Sequence, residues 1–187
     1  MNKRQSIPFI ALLIAFLVWS FFKKDPIIPE LPEHHPSYIA SNVKSKHFDE
    51  QGILDYQIFS EQATSFSEDD ITTFKSPKAI LYIQNKDTNT TTTWQISSKD
   101  GILHQQDKLV LTTDVLVENL SLDQLVQTME TEELTLFIDE KEIVSDIFVS
   151  WKGPQGEQQG VGMWSSLISE ELKMKDKIKA VYLNENK

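Results

Sequence analysis

The residue types that could do chemistry are few in this chain and do not converge along it. The 187 residues include four histidines and no cysteine. His34 and His35 lie in a proline-rich stretch, His47 precedes a turn, and His104 stands in a polar, strand-like run. A metal site or a catalytic base needs partners that converge on it. These histidines lack such spacing, and the absence of cysteine excludes thiolate ligands, a cysteine nucleophile and a disulfide scaffold.

The acidic residues also cluster without the spacing of a ligand set. Residues 68–70 read Glu-Asp-Asp and residues 130–133 read Glu-Thr-Glu-Glu, but neither alternates Asp, Asn and Gly as a calcium loop does. The sequence has no Gly-rich phosphate loop, no G-x-S-x-G motif and no H-x-x-x-H pair. We therefore predict a protein that is not an enzyme, that binds rather than catalyses, and that needs no metal and no cofactor.

The charge is strongly negative and unevenly distributed. Residues 1–24 hold four basic residues and no acid, so the rest of the chain carries 14 basic against 28 acidic residues, a net charge of −14. Such a surface repels nucleic acid and anionic headgroups. We predict no nucleic-acid partner, and we expect any phosphorylated ligand to be held by groups other than its phosphates.

An N-terminal apolar segment predicts a membrane anchor. Residues 7–22 read IPFIALLIAFLVWSFF, without a charge, and basic residues flank both ends. At 1.5 Å per residue they span about 24 Å of a hydrocarbon core of about 30 Å, and the flanking side chains can snorkel. Residues 19–24, WSFFKK, contain no small-x-small cleavage site, which favours a retained anchor over a cleaved signal.

The segment defines the predicted organisation of the chain. Its short N-terminal stub favours a cytoplasmic N-terminus. We predict a cytoplasmic stub at 1–6, a single-pass transmembrane helix at 7–22, a proline-rich linker at 23–36 and an extracytoplasmic domain at 37–187.

The domain after the linker has the pattern of an antiparallel β protein of about ten strands. Apolar and polar residues alternate in the clearest run, 109–118, where Leu109, Leu111, Thr113, Val115 and Val117 share one face. Similar runs lie at 54–60, 79–84, 92–98, 134–138 and 147–151, with turns at 49–52, 85–89, 139–141 and 153–156.

A weak internal repeat extends this prediction to the architecture. Residues 113–117 recur as 145–149, which indicates a repeated hairpin. Stacked hairpins predict a curved, jelly-roll-like sandwich. Residues 167–183 fit either a last strand or a short helix.

Several short motifs follow the anchor in a fixed order. They are Pro36-Ser37-Tyr38, Asp49-Glu50-Gln51-Gly52, Leu54-x-Tyr56, Phe74-Lys75-Ser76-Pro77, Thr93-Trp94-Gln95-Ile96, Leu109-x-Leu111, Val115-x-Val117 and Trp151-Lys152-Gly153-Pro154. This ordered set, with the anchor, resembles the LptC family of bitopic lipopolysaccharide transport proteins over essentially the whole chain. One departure is Thr112-Thr113-Asp114, where the family often has a glycine before the Val-x-Val strand, which leaves open whether the chain bends there.

The resemblance implies an open jelly roll at the inner membrane, with its domain in the periplasm. It implies that lipopolysaccharide is received from the LptB/LptF/LptG ABC transporter and passed to LptA. A slot between the strands would bury acyl chains and leave phosphates and sugars in water. The inward-facing candidates for lipid contact are Tyr56, Ile58, Phe74, Leu81, Ile83, Trp94, Ile96, Leu109, Leu111, Val115, Val117, Leu136, Ile138, Val149 and Leu172.

Two of these candidates stand out for their positions. We expect Phe74 to open a strand beside a proline turn and Leu172 to lie near the terminal edge. Core contact alone explains an inward face as well as lipid contact does.

The exposed strand edges of an open jelly roll are templates for pairing with other chains. We expect the N-terminal edge to pair with a transporter subunit and the C-terminal edge with LptA. The candidate edge residues are Tyr38, Ala40, Asn42, Lys44, Gly153, Leu167 and Tyr182. The alternative is a membrane-anchored scaffold that bridges envelope proteins without holding lipid, for which the interior would be closed.

Overall fold

The computed structural model describes residues 35–85 and 90–182, and every regular element there is a β-strand. There are eleven, one more than the sequence suggested: β1 Tyr38–Phe48, β2 Leu54–Phe66, β3 Ile71–Lys75, β4 Lys78–Asn85, β5 Thr90–Ser97, β6 Asp100–His104, β7 Lys108–Asn119, β8 Thr128–Phe137, β9 Glu142–Gly153, β10 Gly156–Ser166 and β11 Glu171–Tyr182. Within these ranges no helix is long and apolar enough to cross a membrane. The predicted transmembrane helix at 7–22 lies outside the described residues.

The strands form one antiparallel sheet that divides in its middle and rejoins. From the C-terminal edge its order is β11, β10, β9, β8 and β7. The first half of β7 pairs with β6, which pairs with β3, whereas the second half pairs with β5, which pairs with β4. Both β3 and β4 then pair with β2, and β1 lies beside β2. The fold is all-β and jelly-roll-like, with β1 and β11 as its edges.

The long strands all bend at one level, which we call the bend line. The pairings of β7 to β11 shift register at 112–115, 131–135 and 159–163. Thr113 and Asp114 lie in the left-handed region, with φ of 66° and 54°. A left-handed residue in a β-bulge bends its strand, and aspartate tolerates this conformation better than most residues. The bend is therefore present although no glycine precedes the Val-x-Val strand.

The bend line divides the sheet into two leaves that face each other across one core. Leaf A comprises β3, β6, and residues 38–41, 62–66, 108–112, 134–137, 142–145, 163–166 and 171–175 of the other strands, and leaf B comprises β4, β5 and the remaining halves. The core joins side chains that expose no surface: Leu109, Leu111 and Leu134 of leaf A, and Leu81 and Ile96 of leaf B. Removing this apolar surface from water drives the closure of the leaves.

Two details of the sequence prediction are corrected. Thr113 was expected on the apolar face of its strand, but it is exposed because its left-handed backbone breaks the alternation at the bulge. Residues 171–182 form β11, so the helix alternative for the chain end is wrong. The turns expected at 49–52, 139–141 and 153–156 lie between consecutive strands, and most of the turn at 85–89 falls outside the described residues.

Candidate functional site

The ends of the leaves far from the bend line border an opening that we call the mouth. Leaf B contributes the β1–β2 turn at 49–53 and the β7–β8 loop at 120–127. Leaf A contributes the turns at 138–141 and 167–170. The side chains of both leaves line the two cavities found there.

The larger cavity has a volume of about 680 Å³ and lies between the leaves. Ile53, Leu54 and Ile83 line it from leaf B, and Leu167 and Ile168 line it from leaf A. This volume is within the range of small-molecule pockets. Polar side chains, among them Gln51, Gln84 and Thr92, also line the cavity, so it offers an apolar ligand group only part of its wall.

The cationic group of this cavity is already neutralised. The Lys141 side chain is 8% exposed, and its Nζ donates to Asp55 Oδ2 at 2.7 Å and to the Ile138 carbonyl at 2.9 Å. The cavity is also lined by the carboxylates of Asp49 and Glu170. Among the described residues, the lining therefore offers no positive charge that a carboxylate does not already neutralise, so it disfavours phosphate groups.

Tyr56 borders the same cluster at the start of β2. The Lys141 ammonium lies 5.4 Å from its ring centroid, and the His47 ring stacks on it with centroids 4.7 Å apart. Burial and then the negative charges of Asp139, Asp55 and Asp107 raise the pKa of Tyr56 above its usual value. The phenol is therefore held in its neutral form.

The smaller cavity, of about 310 Å³, lies beside the first. Trp94, Met129 and Trp151 line it from leaf B, and Ile143 and Leu172 line it from leaf A. Its walls are the side of the core nearest to β10 and β11.

A polar bridge crosses the mouth where the two cavities meet. Leu167 and Glu170 line both of them. Gln124, in the loop of leaf B, donates through Nε2 to Glu170 Oε1 of leaf A at 2.9 Å. Such an exposed side-chain bond contributes little stability, so the partition can open at small cost.

Apolar side chains surround the mouth on the outside. Ile53, Leu125 and Ile168 are 42%, 54% and 61% exposed. Contiguous exposed apolar surface marks sites where a ligand, membrane or partner binds. Together with the cavities, this rim gives an apolar group of a ligand a surface to contact at the mouth.

The structure places all fifteen sequence-predicted interior residues against the core. Thirteen are buried, and Tyr56 and Leu172 are partly buried. Of these fifteen residues, only Ile83, Trp94 and Leu172 line the two cavities. Phe74 does not open its strand: it is the fourth of the five residues of β3, it is buried, and it lines neither cavity. Lipid contact at these positions stays a prediction.

The predicted edge residues divide into two groups. Tyr38, Ala40, Asn42 and Lys44 lie on β1 and Tyr182 lies on β11, so all five are on edge strands of the sheet.

Gly153 and Leu167 are not edge residues, and this part of the prediction is wrong. Gly153 ends β9 opposite Gly156 of β10, and a Cβ there would lie 1.8 Å from the Leu125 carbonyl oxygen, so the mouth loop packs on it. Leu167 is buried in the β10–β11 turn and lines both cavities.

Sequence reasoning missed several residues of the mouth. Trp151 follows Val149 by two positions in a predicted strand, so strict alternation would have placed it on the inner face. Leu125 and Ile168 lie in loops, which carry no periodicity. Lys141 was assigned only to a turn, and its ion pair with Asp55 joins positions 86 residues apart.

Comparisons with known proteins identify the family. A model of the family described as lipopolysaccharide-assembly, LptC-related, matches residues 9–183. The chain is also similar to the lipopolysaccharide export system protein LptC of Haemophilus influenzae. The two are 23% identical over an alignment 200 positions long, which covers 97% of this chain and 95% of that protein.

Proposed function

The chain belongs to the LptC-related family of lipopolysaccharide-assembly proteins and has a role in lipopolysaccharide export, and we propose that its β domain carries lipopolysaccharide by holding acyl chains between its two leaves. The observation that carries the proposal is the pair of cavities at an apolar mouth. Binding, without a chemical step, is the whole of the proposed activity.

The physical chemistry of the mouth fits an acylated, phosphorylated amphiphile. Each acyl chain that leaves water is stabilised by about 25 cal/mol per Å² of buried apolar surface. The phosphates stay outside, because Lys141 is paired with Asp55 and, among the described residues, the other charged side chains that line the larger cavity are carboxylates. The acidic exterior therefore does not oppose a ligand that inserts only its chains.

We further propose that the two sheet edges connect the domain to its neighbours in an export path. In this proposal residues 7–22 anchor the chain in the inner membrane, β1 pairs with a subunit of the LptB/LptF/LptG transporter, and β11 pairs with LptA in the periplasm. An edge strand offers unpaired N–H and C=O groups to a further strand. Lipid would then move from jelly roll to jelly roll through joined mouths.

A photo-crosslinking scan in intact cells tests the binding proposal. A photoreactive residue is placed at Ile83 and Leu172, which line the cavities. Control positions are Asp114 and Glu118, which lie on the face of β7 that points away from the core. The proposal predicts lipopolysaccharide adducts at the first pair and none at the second. Silence at both cavity positions in a folded protein contradicts it and favours the scaffold alternative, which the open interior otherwise opposes.

Two charge substitutions, one on each edge strand, test which partner each edge binds. Each variant is the control for the other. Ile39 on β1 and Val181 on β11 are both well exposed. Ile39→Asp is expected to weaken co-purification with the transporter but not with LptA, and Val181→Asp is expected to do the reverse. The edge assignment is contradicted if either variant loses the other's partner instead.

A further inference from the structure

A groove on the surface of the sheet lies at the bend line, apart from the mouth. It has a volume of about 520 Å³ and is lined by residues 114–116, 130–132, 147, 148 and 150 of β7, β8 and β9. The pairing of β8 with β9 shifts register at this level. Among the described residues, none that lines this groove also lines a cavity of the mouth. We call it the bend groove.

Apolar side chains are exposed in the bend groove. Ile147 and Phe148 are 38% and 53% exposed, and Leu116, on β7, is only partly buried. In a regular strand one of two consecutive residues points to the core. Here both Ile147 and Phe148 are exposed, between the buried residues Ser145 and Val149, because the register shift interrupts the alternation. Exposed apolar surface of this kind marks a place where a ligand or partner binds.

The charged side chains that line the bend groove are carboxylates. Asp114 is paired with Lys99. Glu130 and Glu132 are exposed and form no ion pair within residues 35–85 and 90–182. Two carboxylates without a counterion beside an apolar floor attract a cationic group and repel an anionic lipid surface. The occupant that fits is therefore apolar and basic at once.

Two other surface grooves show that the acidity of the domain does not by itself produce such a lining. One, on β1 and β2, is lined by Lys44 as well as Glu61. The other, on β9, β10 and β11, is lined by Lys152 and Glu157, which pair with each other at 3.8 Å. Both grooves carry charges of both signs, although the body of the chain has a net charge of −14. The negative lining is thus a local feature of the bend groove.

We propose that the bend groove docks a segment of a partner protein in which an apolar side chain is flanked by lysine or arginine. The apolar side chain of the partner contacts Leu116, Ile147 and Phe148. Its basic neighbours pair with Glu130 and Glu132. This inference goes beyond the proposed function and does not depend on it, because the bend groove and the mouth share no residue that the structure describes.

Methyl NMR of the full-length chain in nanodiscs tests the docking site with three synthetic heptapeptides. Their central residues are Lys-Leu-Lys, Lys-Ser-Lys and Glu-Leu-Glu. The Lys-Leu-Lys peptide is expected to shift the Leu116 and Ile147 methyl signals and to leave Leu125, on the rim of the mouth, unmoved. The Lys-Ser-Lys peptide should bind about tenfold more weakly or worse, since it buries no apolar side chain. The Glu-Leu-Glu peptide should produce no shift.

Two outcomes of this titration overturn the proposal. The first is the absence of shifts at Leu116 and Ile147 with the Lys-Leu-Lys peptide. The second is a shift at Leu125 as large as that at Leu116, which would show that the peptide adheres to any exposed apolar side chain. Neither outcome bears on the proposed function, because no lipid takes part.

A pair of matched variants separates the bend groove from the overall charge. E130Q/E132Q is expected to weaken binding of the Lys-Leu-Lys peptide about two- to fivefold for each ion pair lost. E68Q/E140Q removes the same charge at exposed positions outside the bend groove and is expected to keep the wild-type affinity. Equal weakening by the two variants overturns the site. Where E130Q/E132Q does not fold, the three peptides on wild type decide.

A dilution series without peptide tests a second copy of the chain as the occupant. Strand β11 itself carries an apolar residue between two lysines, Lys177-Ile178-Lys179, and Ile178 is 51% exposed. The proposal predicts Leu116 and Ile147 signals that do not depend on the concentration of the chain. If these signals move with concentration, the groove holds β11 of another copy, and the assignment to a partner protein is overturned.

Discussion

The bend line and the mouth are opposite ends of the same pair of leaves, and they treat polar groups in opposite ways. At the bend line, buried hydroxyls bond backbone carbonyls: Ser60 Oγ lies 2.6 Å from the Lys75 carbonyl and Thr131 Oγ1 lies 2.8 Å from the Phe148 carbonyl. At the mouth, the side-chain bond from Gln124 to Glu170 is exposed and lies beside the cavities. The contrast indicates that one end is built to hold the leaves together and the other to admit a ligand between them.

The surface of the bend line adds ion pairs. These pairs are Lys75 with Asp100, Lys99 with Asp114, and Lys175 with Asp146. The hydrogen bond that Lys99 donates to Asp114, and then the charge of that carboxylate, raise the pKa of Lys99. All of these groups are exposed, and such pairs contribute little to stability. The buried hydroxyls and the core carry the bend.

The largest expected effect is on the free energy of unfolding, when a core leucine at the bend line and a leucine at the mouth are each replaced by alanine. Leu111 exposes no surface beside the register shift, whereas Leu125 is more than half exposed on the rim. Leu111→Ala should lower the free energy of unfolding by about 2–5 kcal/mol, and Leu125→Ala should change it by less than about 0.5 kcal/mol. Urea denaturation of both variants checks this, and equal losses would erase the distinction between the two ends.

The next effect concerns a single hydroxyl at the bend line. Thr131 Oγ1 bonds the Phe148 carbonyl and is buried, so Thr131→Val leaves that carbonyl without this partner. We expect a loss of about 1–3 kcal/mol in the free energy of unfolding. Thr128→Val, in the same strand, is the matched control and should be nearly neutral. A Thr131→Val variant as stable as the control would show that the hydroxyl does not support the bend.

Alternation predicted the inner face of the sheet well, because a strand's period of two is written in consecutive residues such as Leu109 and Leu111. It did not predict the bend at Thr113 and Asp114, where two non-glycine residues adopt left-handed conformations. The alternation pattern did not predict the mouth either. Its bridges join residues that are distant in the chain, and the side chains of its loops follow no period.

A smaller effect is the pH dependence of stability at the mouth. The pKa of Tyr56 is raised in the folded state, chiefly by burial, so the stability linked to its neutral phenol is present below the unfolded value of about 10. This contribution is lost as the pH rises from there through the folded pKa. Between pH 9 and 11, the free energy of unfolding should therefore fall more steeply with pH for wild type than for Tyr56→Phe. Parallel curves for the two proteins would contradict the raised pKa of Tyr56.

The smallest effect is expected at the bridge across the mouth. Gln124→Ala removes the bond to Glu170, and it should speed amide hydrogen exchange at 120–127 and 167–170 while global stability changes by less than about 1 kcal/mol. Gln95→Ala is the control, because it removes a similar bond, from Gln95 to Glu118, within leaf B. If both variants leave exchange at the mouth unchanged, the bridge does not restrain the leaves.

The central claim is that acyl chains lie between the leaves at the mouth, and methyl NMR with a spin-labelled ligand tests it most directly. Lipopolysaccharide with a nitroxide on one acyl chain is added to the full-length chain in nanodiscs. The account predicts strong broadening of the Ile83, Leu167 and Leu172 methyl signals, and little at Ile147, which lies exposed at the bend line. Broadening at Ile147 without broadening at the three mouth positions would contradict it.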